Sequence, residues 1–233
     1  AENSWQWDYT FGINSNHVTG ELNLFTNSID NFIFISKLDN SSGSDSLIDE
    51  LPVFEFEQSN ANLSGGEISI DIHPHPLDWL YFENSFSYVS GIRKNQPDSS
   101  KYLPNIPAPK FTSELMATTK KLNKIFSNAY LKLGIDYYFE QNNIYSFNNT
   151  ETPTGSYSLL NLGAGTDLVL KSKTILSFYF SINNLLDESY QTHLSRLKYS
   201  HENYATGKTG VFDMGRNFSF KIIVPLKFAM KQE

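Results

Sequence analysis

Val211 to Phe228 reads VFDMGRNFSFKIIVPLKF. Alternate residues separate by character. Phe212, Met214, Phe218, Phe220, Ile222, Val224, Leu226 and Phe228 form one set, interrupted only by Arg216. Asp213, Gly215, Asn217, Ser219, Lys221, Ile223, Pro225 and Lys227 form the other, mostly small or polar. Successive side chains of a strand point to opposite faces, so this is a strand with one apolar and one polar face. Strands of globular proteins run about 5–6 residues, and this pattern is about three times longer. A strand that crosses a membrane needs about 9–11 residues. Transmembrane barrels are built from long strands of this kind, apolar toward lipid and polar toward the lumen. A long strand in a soluble sandwich is the alternative for this stretch.

Composition narrows the choice. The 233 residues include no cysteine, which excludes a disulfide framework and a thiolate metal site. Charged residues make up 18%, aromatic residues 15%, and the net charge is −7. This acidic balance argues against a nucleic-acid partner held by a basic surface. No run of about 18 apolar residues occurs, so no transmembrane helix is expected. Bulk hydropathy is that of a soluble chain, and a barrel shows the same because lumen and loop residues dilute the lipid-facing ones. The opening AENSWQWDYT has neither the basic segment nor the apolar core of a signal peptide.

The same alternation recurs along the chain. Trp5 to Ser15 alternates aromatics and reads as a strand. Val18 to Leu38 follows, with Leu22, Leu24, Phe32 and Phe34 assigned to one face and a kink at 27–31. Val53 to His73 carries Ile68, Ile70 and Ile72 on one face, and Gly65-Gly66 suggests a bulge or bend. Strands are further expected over Leu77–Arg93, Lys110–Lys121, Ile125–Asn142, Tyr157–Leu170 and Thr174–Asn184. The Ile125–Asn142 stretch sets Leu131, Leu133 and Ile135 against Lys132, Asp136 and Glu140.

That gives about nine strands joined as hairpins. Their connections alternate. Asn14–His17, His73–Pro76, Lys120–Lys124 and Lys171–Lys173 are short; 39–50, 95–109, 143–155 and 191–210 are long. Short turns on one side of the membrane and long loops on the other characterise bacterial barrels, whereas a sandwich has no reason for the pattern. The fold expected is all-β, with antiparallel up-and-down transmembrane barrel strands.

Several stretches also resemble a known family. Asn183 to Tyr199 (NNLLDESYQTHLSRLKY), followed by Gly215-Arg-Asn-Phe-Ser-Phe220 and a terminal aromatic strand, resembles the C-terminal end of TonB-dependent outer-membrane receptors. The family pattern there is NNLLDxxY, a loop, then PGRNF; Met214 stands where the family often has proline. Leu103-Pro-Asn-Ile-Pro107 resembles the family's LPxIP segment, and Trp79–Gly91 the strand before it. The YQTHLSRLKY variant is similar to receptors for metals or metal chelates. The resemblance implies a 22-stranded, plugged barrel, of which residues 1–233 supply the C-terminal portion. No TonB box or plug sequence precedes Trp5, and five residues follow Phe228 where the family usually stops.

By this resemblance the chain takes up a scarce metal, a siderophore or other metal chelate, or a cofactor across the bacterial outer membrane. Its partners are then outer-membrane lipid, the plug domain and remaining barrel strands, the TonB energy-transducing complex, and a transported iron chelate, zinc or similar ligand. The residues expected to face lipid are Leu131, Leu133, Ile135, Phe180, Phe218, Phe220, Ile222, Val224 and Phe228. Asn217, Ser219, Lys221, Asp136 and Lys132 are expected to face the lumen, where Asp136, Glu140, Lys132 and Lys221 form an ion-pair network or line a substrate path. The resemblance makes the 191–210 loop extracellular, and its candidate ligand-binding residues are His193, Arg196, Tyr199, His201, Glu202 and Tyr204.

His73 and His75 flank Pro74 in a turn, and two ligands do not complete a tetrahedral metal site. Arg216 sits among apolar neighbours, as a side chain snorkelling from a membrane edge would. No nucleophile–base pair, HExxH or glycine-rich phosphate loop is present, so no catalytic residue and no cofactor is assigned. Two other readings stand beside the transporter. One is a self-contained barrel of about 10 strands with a hydrolase site at its rim, within the known range of sizes. The other is a soluble β-sandwich that stacks tyrosine and tryptophan on sugars.

Overall fold

The computed structural model describes residues 1–39, 44–49, 51–171 and 173–226. Nine strands carry the fold: β1 (Asn3–Asn14), β2 (Val18–Lys37), β3 (Phe54–Ile72), β4 (Leu80–Arg93), β5 (Lys110–Lys121), β6 (Phe126–Tyr138), β7 (Tyr157–Leu170), β8 (Lys173–Asn183) and β9 (Asn217–Ile223). They form a single antiparallel sheet in chain order, each strand hydrogen-bonded to the next. Among the described residues, the other strand pairs are two ribbons of two residues a side, 47–48 with 51–52 and 202–203 with 208–209. Among the described residues no second sheet of comparable size packs against the first, which overturns the sandwich alternative. Among the described residues the outer edges of β1 and β9 have no partner.

The register shows why this sequence makes this sheet. Val18, Ile72, Phe82, Leu115, Leu133, Leu162, Ile182 and Phe218 pair in turn across eight strands, and all are apolar. One residue away, Asn14, Thr19, Asp71, Glu83, Glu114, Gly134 and Asn161 pair across seven strands, and every one is polar or glycine. The side-chain period of two keeps such rows on opposite faces. Leu131, Leu133, Ile135, Phe180, Phe218, Phe220 and Ile222 therefore share the apolar face; Lys132, Asp136, Asn217, Ser219 and Lys221 share the polar one. On the polar face Asp136 receives Lys110 at 2.8 Å and Asn161 at 2.8 Å, and Lys132 reaches Glu114 at 2.9 Å.

The four long connections, 38–53, 94–109, 139–156 and 184–216, all leave the same end of the sheet, and the short turns leave the other. At the loop end a patch of the polar face turns apolar. Phe34 and Ala61 are buried there under Leu103, Ile106 and Tyr145 from two of the loops. Gly91 permits the contact, because a Cβ there would lie 2.8 Å from Ile106 Cδ1.

Several expectations change. Leu22 and Leu24 lie on the apolar face, whereas Phe32 and Phe34 lie on the polar one. The register slips between Ile29 and Phe32, where Asn31 adopts φ 58°, and one extra residue reverses the parity of everything after it. The bulge is there and not at Gly65-Gly66, whose pairing is regular on both sides. Those glycines answer a close approach instead: a Cβ on Gly65 would strike the Phe25 ring at 2.8 Å. Glu140 falls beyond the end of β6, which stops at Tyr138.

The last strand begins only at Asn217. The segment before it is drawn into the loop, with Asp213 donating its amide to Tyr190 and accepting that of Thr192. Arg216 is likewise off the strand, its amide bound to Asp187 Oδ1 at 2.7 Å. Pairing ends at Ile223, two residues before Pro225, which has no amide to donate. Val224 is exposed past that end, and Phe228 lies outside the described residues.

Candidate functional site

The loop end is the candidate site, and three loops build it. Asn184 opens the longest one. It is buried, in a left-handed backbone conformation, and its side chain bonds the amide and the carbonyl of Glu188 at 2.8 Å each. Asp187 then holds the loop's other end through Arg216. The polar residues of NNLLDE are thus the frame of the loop, as short Asn and Asp side chains commonly are in turns.

Glu151 joins the loops. It is buried, and its carboxylate accepts the Asn105 amide at 2.6 Å and the Tyr145 amide at 3.0 Å. His193 Nε2 lies 3.8 Å from the same carboxylate, too long for a hydrogen bond. His193 Nδ1 instead meets Thr154 Oγ1 at 2.9 Å. Burial, and then the neighbouring Lys198 ammonium, push the His193 imidazole down to about 4, so it is neutral at pH 7. Lys198 is itself buried and donates to the Thr152 carbonyl and to Thr154 Oγ1. The Tyr199 hydroxyl accepts the Thr152 amide at 3.2 Å.

Between these loops runs a cleft of about 280 Å³, lined among others by Thr152, Thr154, Tyr157, Tyr190, Gln191 and Lys198. Tyr190, Tyr157 and Tyr138 stack in sequence, with ring centroids 4.7 and 4.6 Å apart. Burial, and then Asp213, raise the Tyr190 hydroxyl above its ordinary pKa, which keeps it a neutral donor. The cleft is therefore lined by tyrosine rings, hydroxyls and one ammonium. These groups suit a planar or anionic organic ligand.

The family model described as "TonB dependent receptor-like, beta-barrel" matches residues 1–185. The chain belongs to this family. TonB-dependent receptor barrels lie in the outer membrane of Gram-negative bacteria, so the nine strands are wall strands of an outer-membrane barrel. Solved structures agree in fold. "Copper transporter OprC" superposes with a TM-score of 0.72 at 15% identity over 95% of this chain. The FrpB iron transporter from Neisseria meningitidis gives 0.65 at 13% over 95%, and BauA, the ferric preacinetobactin receptor from Acinetobacter baumannii, 0.60 at 14% over 94%. The chain spans only 31%, 30% and 29% of those proteins' own lengths. A comparison with curated proteins finds no match.

Within this family member the six loop residues separate into three sets. His193 and Tyr199 face inward as anchors against 151–154. Arg196 lies over the ring of Phe54, the first residue of β3, at 5.8 Å. His201, Glu202 and Tyr204 sit on or beside the 202–209 ribbon, exposed, with Tyr204 98% open to solvent. Among the described residues no three His, Asp or Glu side chains converge as metal ligands. Tyr157, Tyr190 and Lys198 shape the cleft, and none of the three is among the six loop candidates. Tyr190 belongs to the NNLLDESY motif, and that is the one signal that marks it.

Proposed function

We propose that the chain is the C-terminal part of the wall of an outer-membrane transporter that imports a metal chelate. Its lipid-facing surface is the apolar face, including Leu133, Phe180, Phe218 and Phe220. The polar face looks into the lumen, toward a plug domain and the remaining strands of the same protein. Uptake draws energy from the TonB complex, as family membership implies. The observation that carries this reading is the sheet itself: two faces of opposite character, with every long loop at one end and the cleft between them. Solved structures of similar fold are named as a copper transporter, an iron transporter and a ferric preacinetobactin receptor, which supports a metal-bearing cargo. The tyrosine faces and the Lys198 ammonium favour the organic, anionic shell of a chelate over a bare cation.

The test is uptake by cells expressing the complete receptor, offered ferric citrate, a ferric catecholate or copper. Accumulation of one cargo should require an intact TonB complex and should fall about tenfold or more in Tyr190→Ala or Lys198→Ala, a loss of about 1.4 kcal/mol in binding. Equal uptake with and without TonB would sink the transport reading. Full uptake in both cleft variants would sink the assignment of the cleft.

A further inference from the structure

The turn end of the sheet carries three histidines that take no part in the loop assembly. His17 lies between β1 and β2; His73 and His75 follow β3. Pairing of β2 with β3 sets Val18 opposite Ile72, and just beyond it the His73 amide donates to the His17 carbonyl at 2.7 Å. That bond holds the two turns side by side. The His17 and His75 rings then lie with centroids 5.5 Å apart and planes 34° from parallel. His75 Nδ1 is 3.3 Å from Asp78 Oδ1. The His73 ring is turned elsewhere, edge-on to Tyr81 at 4.8 Å.

Two exposed imidazoles at this separation match a metal bound between them. With a metal–nitrogen bond of about 2.0–2.1 Å, a ring centroid sits about 3 Å from the metal, and a tetrahedral angle puts two centroids about 5 Å apart. Imidazole suits Cu²⁺, Ni²⁺ and Zn²⁺. A carboxylate that accepts the Nδ1 proton of a histidine fixes the tautomer presenting Nε2 to a metal, and Asp78 is so placed on His75. Both turns are braced by local hydrogen bonds. Ser15 Oγ accepts the amides of His17 at 3.4 Å and Val18 at 3.0 Å, and the Leu77 amide donates to the Pro74 carbonyl at 2.7 Å. Such bracing lowers the ordering cost of binding.

The geometry points to a divalent transition-metal site made by His17 and His75, oriented by Asp78, with water completing the coordination. It stands at the opposite end of the strands from the loop cleft and is independent of the transported cargo. A metal there staples the β1–β2 turn to the β3–β4 turn. Asp78 acts as a positioning residue through His75.

The test is diethyl pyrocarbonate labelling of the complete receptor in detergent, with and without Zn²⁺, read residue by residue by mass spectrometry. Zn²⁺ should slow labelling of His17 and His75 together, by about tenfold, and leave exposed His201 reactive. In His17→Ala the protection of His75 should vanish, and a Cu²⁺ paramagnetic resonance spectrum should lose its second nitrogen. Asp78→Asn should weaken binding about tenfold without abolishing it. Protection of His75 that persists in His17→Ala, absence of protection in the unaltered receptor, or equal slowing of every exposed histidine would overturn the site. The unaltered receptor decides even where a variant fails to assemble. None of these outcomes bears on uptake.

Discussion

The two faces of one sheet obey opposite rules. On the apolar face Phe220 is 67% exposed and Leu133 44%, and no element among the described residues covers them. On the polar face lie the buried cluster, the ion pairs and two loops folded inward. In a water-soluble protein the apolar rows would sit in the core and the Lys132–Glu114 and Lys110–Asp136 pairs in solvent. On the proposed reading the apolar rows are the outside, because the solvent that meets them is lipid. Packing inside the chain is then left to polar contacts and to the one apolar patch at the loop end.

The strongest way to break this comparison is to move charge between faces. Phe220→Arg and Leu133→Arg in the complete receptor put a cation on the apolar face, at about 2–4 kcal/mol near the membrane midplane. Ser219→Arg and Gly134→Arg put the same charge one residue away on the polar face. A Cβ at Gly134 meets nothing closer than 3.7 Å, so the site has room. Heat-modifiable migration of outer-membrane fractions should show lost assembly for the first pair and near-normal assembly for the second. Equal behaviour of both pairs would end the assignment of faces.

Next in size is the loop-end patch. Arg93 is buried, 4.5 Å from the Phe34 ring centroid and 5.4 Å from that of Tyr145. It donates to Ser59 Oγ at 2.8 Å and to the Ser100 carbonyl at 3.1 Å, with Glu57 at 3.7 Å. Arg93→Ala removes these bonds and the stacking together and should loosen the 94–109 and 139–156 loops by about 2–3 kcal/mol. Limited proteolysis should then cut those loops while the strands stay protected. Cleavage unchanged from the parent would show that the patch is not what holds them.

The strands and their faces were legible because a period of two repeats through every strand and a misplaced boundary does not alter it. Lys110–Lys121 and Tyr157–Leu170 match residue for residue. The slip at Asn31 was not legible as a change of face, since a bulge is a local backbone event with no periodic signature. Its consequence is large: it carries Phe34 from the apolar face into the patch under Arg93. The strand read over 211–228 was too long at both ends for a different reason. Phe212 and Met214 keep the alternation, but Asp213 is captured by Tyr190 and Thr192 near the start of the same loop, and capture is a tertiary event. The site was half legible. His193 and Tyr199 were marked by residue type and motif, and their role as anchors depends on Thr152, Thr154 and Glu151, some 40 residues earlier in the chain.

Glu151 tests that dependence with a smaller effect. Its two oxygens serve two loops, Asn105 on one side and Tyr145 on the other. Glu151→Gln keeps the shape but turns one acceptor into a donor facing an amide, which should cost about 1–2 kcal/mol of loop stability. Hydrogen exchange should rise at Asn105 and Tyr145 and stay unchanged in the middle of β6. A uniform rise across the sheet would mean that Glu151 supports the barrel rather than the junction of its loops.

The smallest effect is a dependence on pH that belongs to the loop end alone. The imidazole of His193 protonates at about 4 with the loops closed, against 6.5 ordinarily. Closed loops therefore bind fewer protons than open ones. The closure is at full strength above pH 6.5 and weakens as pH falls from 6.5 toward 4. Amides of the 184–216 loop, corrected for intrinsic rate, should exchange faster at pH 5 than at pH 7. His193→Gln retains a partner for Thr154 without a titrating group, and its loop should respond less. Lys198→Met sharpens the test, since it removes the second cause of the shift. The folded value should then move back toward 6.5, and the pH 5 to pH 7 difference should shrink without vanishing, because burial remains. A difference that is full in His193→Gln would assign the pH response to another group and leave His193 as an anchor only.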